Sequence, residues 1–358
     1  MMLLPFSMPC YHPLKGFAIG KTDKGKTNYK IVSYDVTSVQ LIDGNWIPFS
    51  GPVFRSDKAQ KMVAQSVTIP CGKCLGCRLE YSRQWANRCM LELGYHESSW
   101  FVTLTYDDAH LPRSFYGNSD TGEAVPCATL YKRDFQLFMK RLRKKFGEGI
   151  RFYAAGEYGD QTKRPHYHAI IYGLELDDFV FYKKMALESA NLYYNYYNSE
   201  SLQSCWRDKD GNDIGFVVVG KVTWETCAYV ARYIMKKQKG QGADVYERFN
   251  IEPEFCLMSR KPGIAHQYYE DHPEMWDYDK INISTPNGGR SFRPPQYFER
   301  LFDVDCPDLS SARKKKKNEA AKSAEKIKKK LTDKSYSDIM ITEENVKRNR
   351  TKKLRRIL

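Results

Sequence analysis

The sequence predicts an α+β fold, an antiparallel sheet with flanking helices, preceded by a cysteine-rich region and followed by a basic tail. Short stretches rich in β-branched and aromatic residues follow one another across loops. Helix-periodic stretches fall among them without strict strand–helix–strand alternation, which favours an antiparallel sheet with helices on one face. Charge marks the tail: residues 310–358 carry 18 Lys/Arg against 6 Asp/Glu, which accounts for 12 of the net +14. With 358 residues, 42% of them hydrophobic, there is material for one large domain or two modest ones.

Residues 1–96 form an N-terminal region with alternating stretches such as "NYKIVSYDV" and the cluster "PCGKCLGCR". From Arg78 to Leu93, Leu79, Trp85, Cys89, Met90 and Leu93 recur near helical spacing, with Gly94 as the stop. Residues 97–300 form the central domain. "SWFVTLTYDD" reads as a strand ending in acidic residues. "YKRDFQLFMKRLRKKFG" places Phe135, Phe138, Met139, Leu142 and Phe146 on one helix face, with Gly147 beyond the last turn. "IRFYAAGEYG" and "PHYHAIIYG" read as neighbouring strands across "DQTKR". "GFVVVGKV" is a further strand, leading into "TWETCAYVARYIMKK", a helix that Thr223 caps. In "YYNYYN", Tyr193 and Tyr197 stand at helical spacing and read as core, although exposed tyrosines there would stack on bases. Residues 301–358 have little apolar surface and read as a mobile arm, whose charge points to a polyanion such as nucleic acid.

The opening "MMLLPFSMPC" is too short in its apolar part, and lacks the basic start, for a secretory signal, and Met8 is an alternative start. No run reaches the roughly 18–20 apolar residues that span a bilayer. Without an export signal, ten cysteines point to reduced thiols or metal ligands, and to the cytoplasm. Cys71, Cys74 and Cys77 form a C-x-x-C-x-x-C run whose glycines let the chain fold around an ion. Structural zinc takes four such ligands in a tetrahedron. Cys10 is the preferred fourth, because a distant ligand pins the N-terminal segment to the cluster. His12 and Cys89 are the alternatives, although Cys89 lies on an apolar helix face that suits a plain buried thiol. An iron–sulfur cluster fits less well, since no second full ligand set is apparent.

On a strand, His166 and His168 aim their rings to the same side. Alone, the pair fits two packed imidazoles as well as two ligands. Glu157, at the end of the preceding strand, adds a carboxylate and makes a divalent-ion site with open positions. On the later helix, Tyr229 and Tyr233 stand four apart on one face, and Lys236 three further on. A tyrosine hydroxyl titrates near pH 10 in model compounds. An adjacent ammonium and a metal-polarised phosphate would help it act as a nucleophile.

In this order, "FVTLTYDD", "RPHYHAIIYG" and "YVARYIMKK" resemble the three motifs of HUH endonucleases that initiate rolling-circle replication. "MPCYHP", "PCGKCLGCR", "WANRCMLE" and "EFCLMSRKPGI" resemble the gokushovirus-like branch of the microviruses, and the resemblance spans about residues 8–300. It implies a central five-stranded antiparallel sheet, with the histidines on a central strand and the tyrosine helix packed across from them. It also implies magnesium or manganese held by His166 and His168, with Glu157 as candidate third ligand, and Tyr229 and Tyr233 as nucleophiles beside Lys236. The implied reaction nicks single-stranded or locally melted origin DNA. It leaves a 5′-phosphotyrosine and a 3′-hydroxyl that primes a host polymerase, and the strand is later rejoined. The sequence has no G-x-x-x-x-G-K-[ST] phosphate loop, so unwinding falls to a host helicase. Neither a membrane nor a small-molecule substrate is implied, and the place of action is the cytoplasm of the bacterial host. The alternative is a non-catalytic, zinc-containing single-stranded DNA binding protein.

Overall fold

The computed structural model describes residues 10–23, 25, 27–187, 192–232, 237, 240–285 and 288–352. The chain divides into two compact units, Met1–Glu80 with Leu301–Leu358, and Tyr81–Arg300.

The first unit begins with six strands: β1 (Leu14–Lys21), β2 (Thr27–Ser33), β3 (Val36–Ile42), β4 (Asn45–Ser50), β5 (Lys61–Val63) and β6 (Ser66–Ile69). They pair as two antiparallel sheets, ordered β2-β1-β6 and β4-β3-β5, around Phe17, Val36 and Val39. Helix α1 (Leu75–Leu93) starts inside the cysteine cluster, three residues before the predicted start, and crosses the boundary between units.

The second unit continues with β7 (Ser99–Leu104), β8 (Arg113–Gly117), β9 (Ala124–Ala128), α2 (Lys132–Phe146), β10 (Arg151–Tyr158), β11 (Pro165–Tyr172), β12 (Phe179–Leu187) and β13 (Leu192–Ser199). Then come α3 (Glu200–Gln203), β14 (Val217–Lys221), α4 (Trp224–Arg232), α5 (Asp244–Arg248), β15 (Phe255–Met258), α6 (His266–Asp271), α7 (Met275–Tyr278), β16 (Ile281–Thr285) and β17 (Gly288–Phe292). Helix α8 (Gln296–Asp305) leads back into the first unit, which ends with α9 (Pro307–Lys330) and α10 (Tyr336–Lys352).

One seven-stranded sheet, ordered β12-β13-β14-β7-β11-β10-β15, organises the second unit, and every neighbouring pair is antiparallel. The resemblance implies five strands, and the excess arises at the edges. β13 pairs with β14 and carries β12 outside it, while the four-residue β15 adds to β10. "YYNYYN" therefore lies on a strand rather than at helical core spacing, and Tyr193 is exposed. Aromatic residues suit a pleated ladder, and their spacing alone left the helical period open.

Helices cover both faces of this sheet, not one. The side chains alternate along each strand. Val102, Leu104, Ala154, Tyr167, Ala169, Ile171, Val217 and Val219 pack with Phe135, Phe138, Met139 and Leu142 of α2. Phe101, Tyr153, Ala155, Ile170 and Tyr172 face the other way, onto Trp85, Ala86 and Cys89 of α1 and Cys227, Ala228 and Val230 of α4. The ends of these helices follow the sequence. Gly147 takes φ 108° and donates its N–H to Arg143 O, which stops α2. Thr223 and Thr226 cap α4 reciprocally: Thr226 N–H donates to Thr223 Oγ1 at 3.2 Å, and Thr223 N–H to Thr226 Oγ1 at 2.8 Å.

The segment expected as a mobile arm is helical over most of its length. Its few buried groups share a face. Met340 is fully buried and Glu344 nearly so, one turn apart on α10, and the Tyr336 ring one turn earlier lies 5.2 Å from that of Tyr34. Spaced four apart, three side chains are enough to dock a helix that is otherwise charged.

Candidate active site

Strand pairing brings the candidate ligands together. β10 and β11 place Glu157 directly opposite His166, and β11 and β7 place Thr103 opposite His168. His166 and His168, two apart, project to the same face, the face covered by α4. The Nε2 atoms of both rings converge on Glu157 Oε1, at 2.7 Å from His166 and 3.3 Å from His168. One ligand atom from each of the three residues lies within 4.8 Å of the others.

The far side of each ring is anchored. His166 Nδ1 lies 3.1 Å from Arg164 O, a carbonyl that only accepts, so that nitrogen carries the proton and Nε2 keeps its lone pair. His168 Nδ1 lies 2.9 Å from Thr103 Oγ1, and its ring stacks on Phe101 at 5.5 Å. Arg164 is itself held, by Asp108 and by Tyr106 O at 2.9 Å. This is how imidazoles are oriented for a cation. Glu157 and His168 are buried, and His166 is half-buried. Burial pushes the Glu157 carboxyl up, but the hydrogen bonds and charge of His166 and His168 outweigh it and hold it well below the usual carboxylate range. The site is therefore a buried anionic oxygen flanked by two oriented nitrogens, a donor set that fits a divalent cation.

Tyr229 comes from α4. Its ring is half-buried, 5.1 Å from that of His168 and 6.1 Å from that of Phe101. Tyr233 and Lys236 lie outside the described residues. Thr103, Phe101 and Arg164 were not singled out from the sequence. The first two belong to "FVTLT", but only strand pairing shows which histidine they meet.

The first unit holds a second ligand set. Cys10, Cys71, Cys74 and Cys77 meet with their Sγ atoms within 4.8 Å of one another. Of the two alternatives, Cys89 is fully buried in the sheet-facing core, and His12 Nε2 lies 2.7 Å from Glu344 Oε2. The thiols share protons unequally. Hydrogen bonds from Cys10 and then Cys77 hold Cys74 far below the usual thiol range, while the Cys74 contact pushes Cys10 up to about 12.

A family model for the ORF2 type of replication-associated protein matches residues 99–238, which include Glu157, both histidines and Tyr229. The chain is 30% identical over 359 residues to replication-associated protein ORF2 of Spiroplasma virus 4, covering 98% of each. It is 31% identical over 267 residues to replication-associated protein VP4 of Bdellovibrio phage phiMH2K, covering 72% of this chain and 74% of that one. With replication-associated protein ORF4 of Chlamydia phage 1 the identity is 30% over 183 residues, 48% of this chain and 39% of the other. No solved structure matches. Among the described residues, no helix is long and apolar enough to cross a membrane. Its match to a relative along nearly the whole of both sequences settles the grouping: the chain belongs to the replication-associated proteins of microviruses.

Proposed function

We propose that this protein cuts and rejoins one DNA strand at a phage origin, by attack of a tyrosine on a phosphodiester. The observation that carries the reading is the convergence of Glu157, His166 and His168 beside the Tyr229 ring, in a chain whose relatives are named replication-associated proteins. Glu157, His166 and His168 would hold magnesium or manganese. When bound, such an ion polarises the phosphate under attack.

The chain's own groups do the rest. Thr103 and Arg164 O hold the two imidazoles by their Nδ1 atoms. Tyr229 supplies the hydroxyl: its Oη–P bond forms, the P–O3′ bond breaks, and the departing oxygen takes up a proton as a free 3′-hydroxyl. The product is a 5′-phosphotyrosine, so the energy of the bond is kept for rejoining. Tyr233 would be the second nucleophile, and the Lys236 ammonium would lower the cost of ionising a tyrosine. Both roles rest on the resemblance and on helical spacing. The strand must be single or locally melted, and the 3′ end would prime a host polymerase behind a host helicase, in the host cytoplasm. The basic C-terminal residues would add affinity that carries no sequence information and that salt weakens.

The test is labelled single-stranded origin DNA incubated with the protein and manganese, followed by a search for an adduct that survives detergent. The adduct is expected with the wild type and absent from the Tyr229→Phe, Tyr233→Phe double variant. Adduct in that double variant would overturn the nucleophiles. Cleavage with no adduct would mean attack by water, and binding with no cleavage would leave the non-catalytic reading.

A further inference from the structure

The cysteine cluster takes no part in the reaction above, yet it has the form of a built site. Cys10 and Cys74 Sγ stand 3.9 Å apart. Ligands at about 2.3 Å from one ion, on the corners of a tetrahedron, stand roughly 3.8 Å from each other. A disulfide would bring two sulfurs to about 2.05 Å, and all four cysteines are free. Backbone N–H groups point at the sulfurs: Cys71 N–H at Cys10 Sγ (3.2 Å), Tyr11 N–H at Cys74 Sγ (3.3 Å) and Cys74 N–H at Cys71 Sγ (3.3 Å). Amide donors favour the thiolate, the form that binds metal. A cluster of several irons would spread the thiolates further apart, whereas one small ion fits this spacing. Four thiolates in a closed tetrahedron are the ligand set of structural zinc.

One contact extends the site to a segment more than 250 residues away in sequence. Glu344 of α10 is buried. Its Oε1 accepts the Leu75 N–H at 2.9 Å, and its Oε2 lies 2.7 Å from His12 Nε2. Leu75 directly follows Cys74, and His12 stands two residues after Cys10. One carboxylate therefore ties together the two chain segments that supply the sulfurs.

We propose that Cys10, Cys71, Cys74 and Cys77 hold one zinc ion, and that this ion, by fixing His12 and the Leu75 N–H relative to each other, creates the docking site for Glu344 and so for the C-terminal helix α10. Without the ion, the N-terminal segment has no covalent or ionic tie to the C-x-x-C-x-x-C turn, and the carboxylate loses its paired donors. Zinc occupancy then governs whether α10 is docked.

Metal analysis of the full chain, purified without chelators from medium containing zinc and iron, is expected to give about one zinc per chain and no iron. Titrating the wild type with an organomercurial should release that zinc to a chromogenic chelator, and Cys74→Ser should lack it. Hydrogen exchange is the second readout. Amides of residues 336–352 should exchange faster once the zinc is stripped and recover when it is returned. Glu344→Ala should keep its zinc yet exchange roughly tenfold faster over the same residues, the weight of one hydrogen bond to a charged group. A wild type with no metal, or with iron instead, overturns the zinc. Exchange over 336–352 that is the same with and without zinc, or unchanged in Glu344→Ala, overturns the docking. Because both use the wild type or a variant with its cysteines intact, a Cys74→Ser chain that fails to fold leaves the test whole.

Discussion

Thr103→Val removes one hydroxyl and leaves the β-branched shape that suits β7. That hydroxyl lies 2.9 Å from Nδ1 of His168, a buried ring whose Nε2 faces Glu157 Oε1 at 3.3 Å. When the proton sits on Nδ1 and is donated to Thr103, Nε2 offers its lone pair to a cation. Valine gives no acceptor, so Nδ1 is left facing a methyl group and the tautomer with the proton on Nε2 gains ground. That tautomer cannot bind a metal through Nε2. Leaving a buried polar group without its bond costs about 1–3 kcal/mol, and changes of this kind behind a ligand typically cost roughly 10–100-fold in metal affinity or activity. The stack on Phe101 keeps the ring in place, so the lower end, roughly tenfold, is expected. The assay is manganese binding by calorimetry, with nicking rate against manganese concentration beside it. Thr103→Ser, which restores a hydroxyl, should recover most of the affinity. Thr103→Val binding manganese within twofold of the wild type would refute the reasoning.

Three further outcomes follow from the packing around the site. Glu92 is buried, bonded to His96, the Ala265 N–H and Arg151. Burial raises its carboxyl and these bonds outweigh it, so it lies below its ordinary 4.5. A depressed acid contributes stability that is present above the unfolded-state value and lost as pH falls through the folded one. The stability difference between wild type and Glu92→Gln in urea should therefore be largest near neutrality and shrink below about pH 4.5, and a difference constant from about pH 7 to pH 3 would contradict this. Gly215 takes φ +152°, and a Cβ there would stand 1.9 Å from Thr105 O, a carbonyl held by Trp206 Nε1 at 2.7 Å. Gly215→Ala should cost about 3 kcal/mol or more, read from the urea midpoint, and a loss under about 1 kcal/mol would show that the backbone gives way easily. Trp206 is fully buried against Tyr106, Phe138 and Tyr167. Its truncation to Ala should cost about 3–5 kcal/mol, and retained stability by thermal unfolding would mean that the core refills the space.

Much of the site was legible because its signals are local. Two-residue spacing on a strand puts His166 and His168 on one side whatever the strand pairs with. Gly147 and Thr223 terminate and cap helices through their own backbone preferences, and helical spacing groups Phe135, Phe138, Met139 and Leu142 on one side of α2. Cys10 could be preferred over His12 and Cys89 because zinc asks for a fourth thiolate and a helix face asks for a buried thiol. These readings need only covalent geometry and the strand and helix periods, about 2 and 3.6 residues.

What joins distant segments was decided by the tertiary structure. The sheet's seven strands, its two helix-covered faces, and Thr103 opposite His168, 65 residues away, all depend on which strand edges meet and in what register. A strand's edge carries the same N–H and C=O groups whatever its sequence, so alternation tells which residues share a face and not which strand lies beside them. The same holds for the C-terminal helices. Composition showed 18 basic residues and little to bury, while the tertiary structure found three side chains on α10, Tyr336, Met340 and Glu344, with partners waiting in the first unit. Local chemistry made the ligands readable from the sequence; pairing across long stretches of chain assembled them into a site.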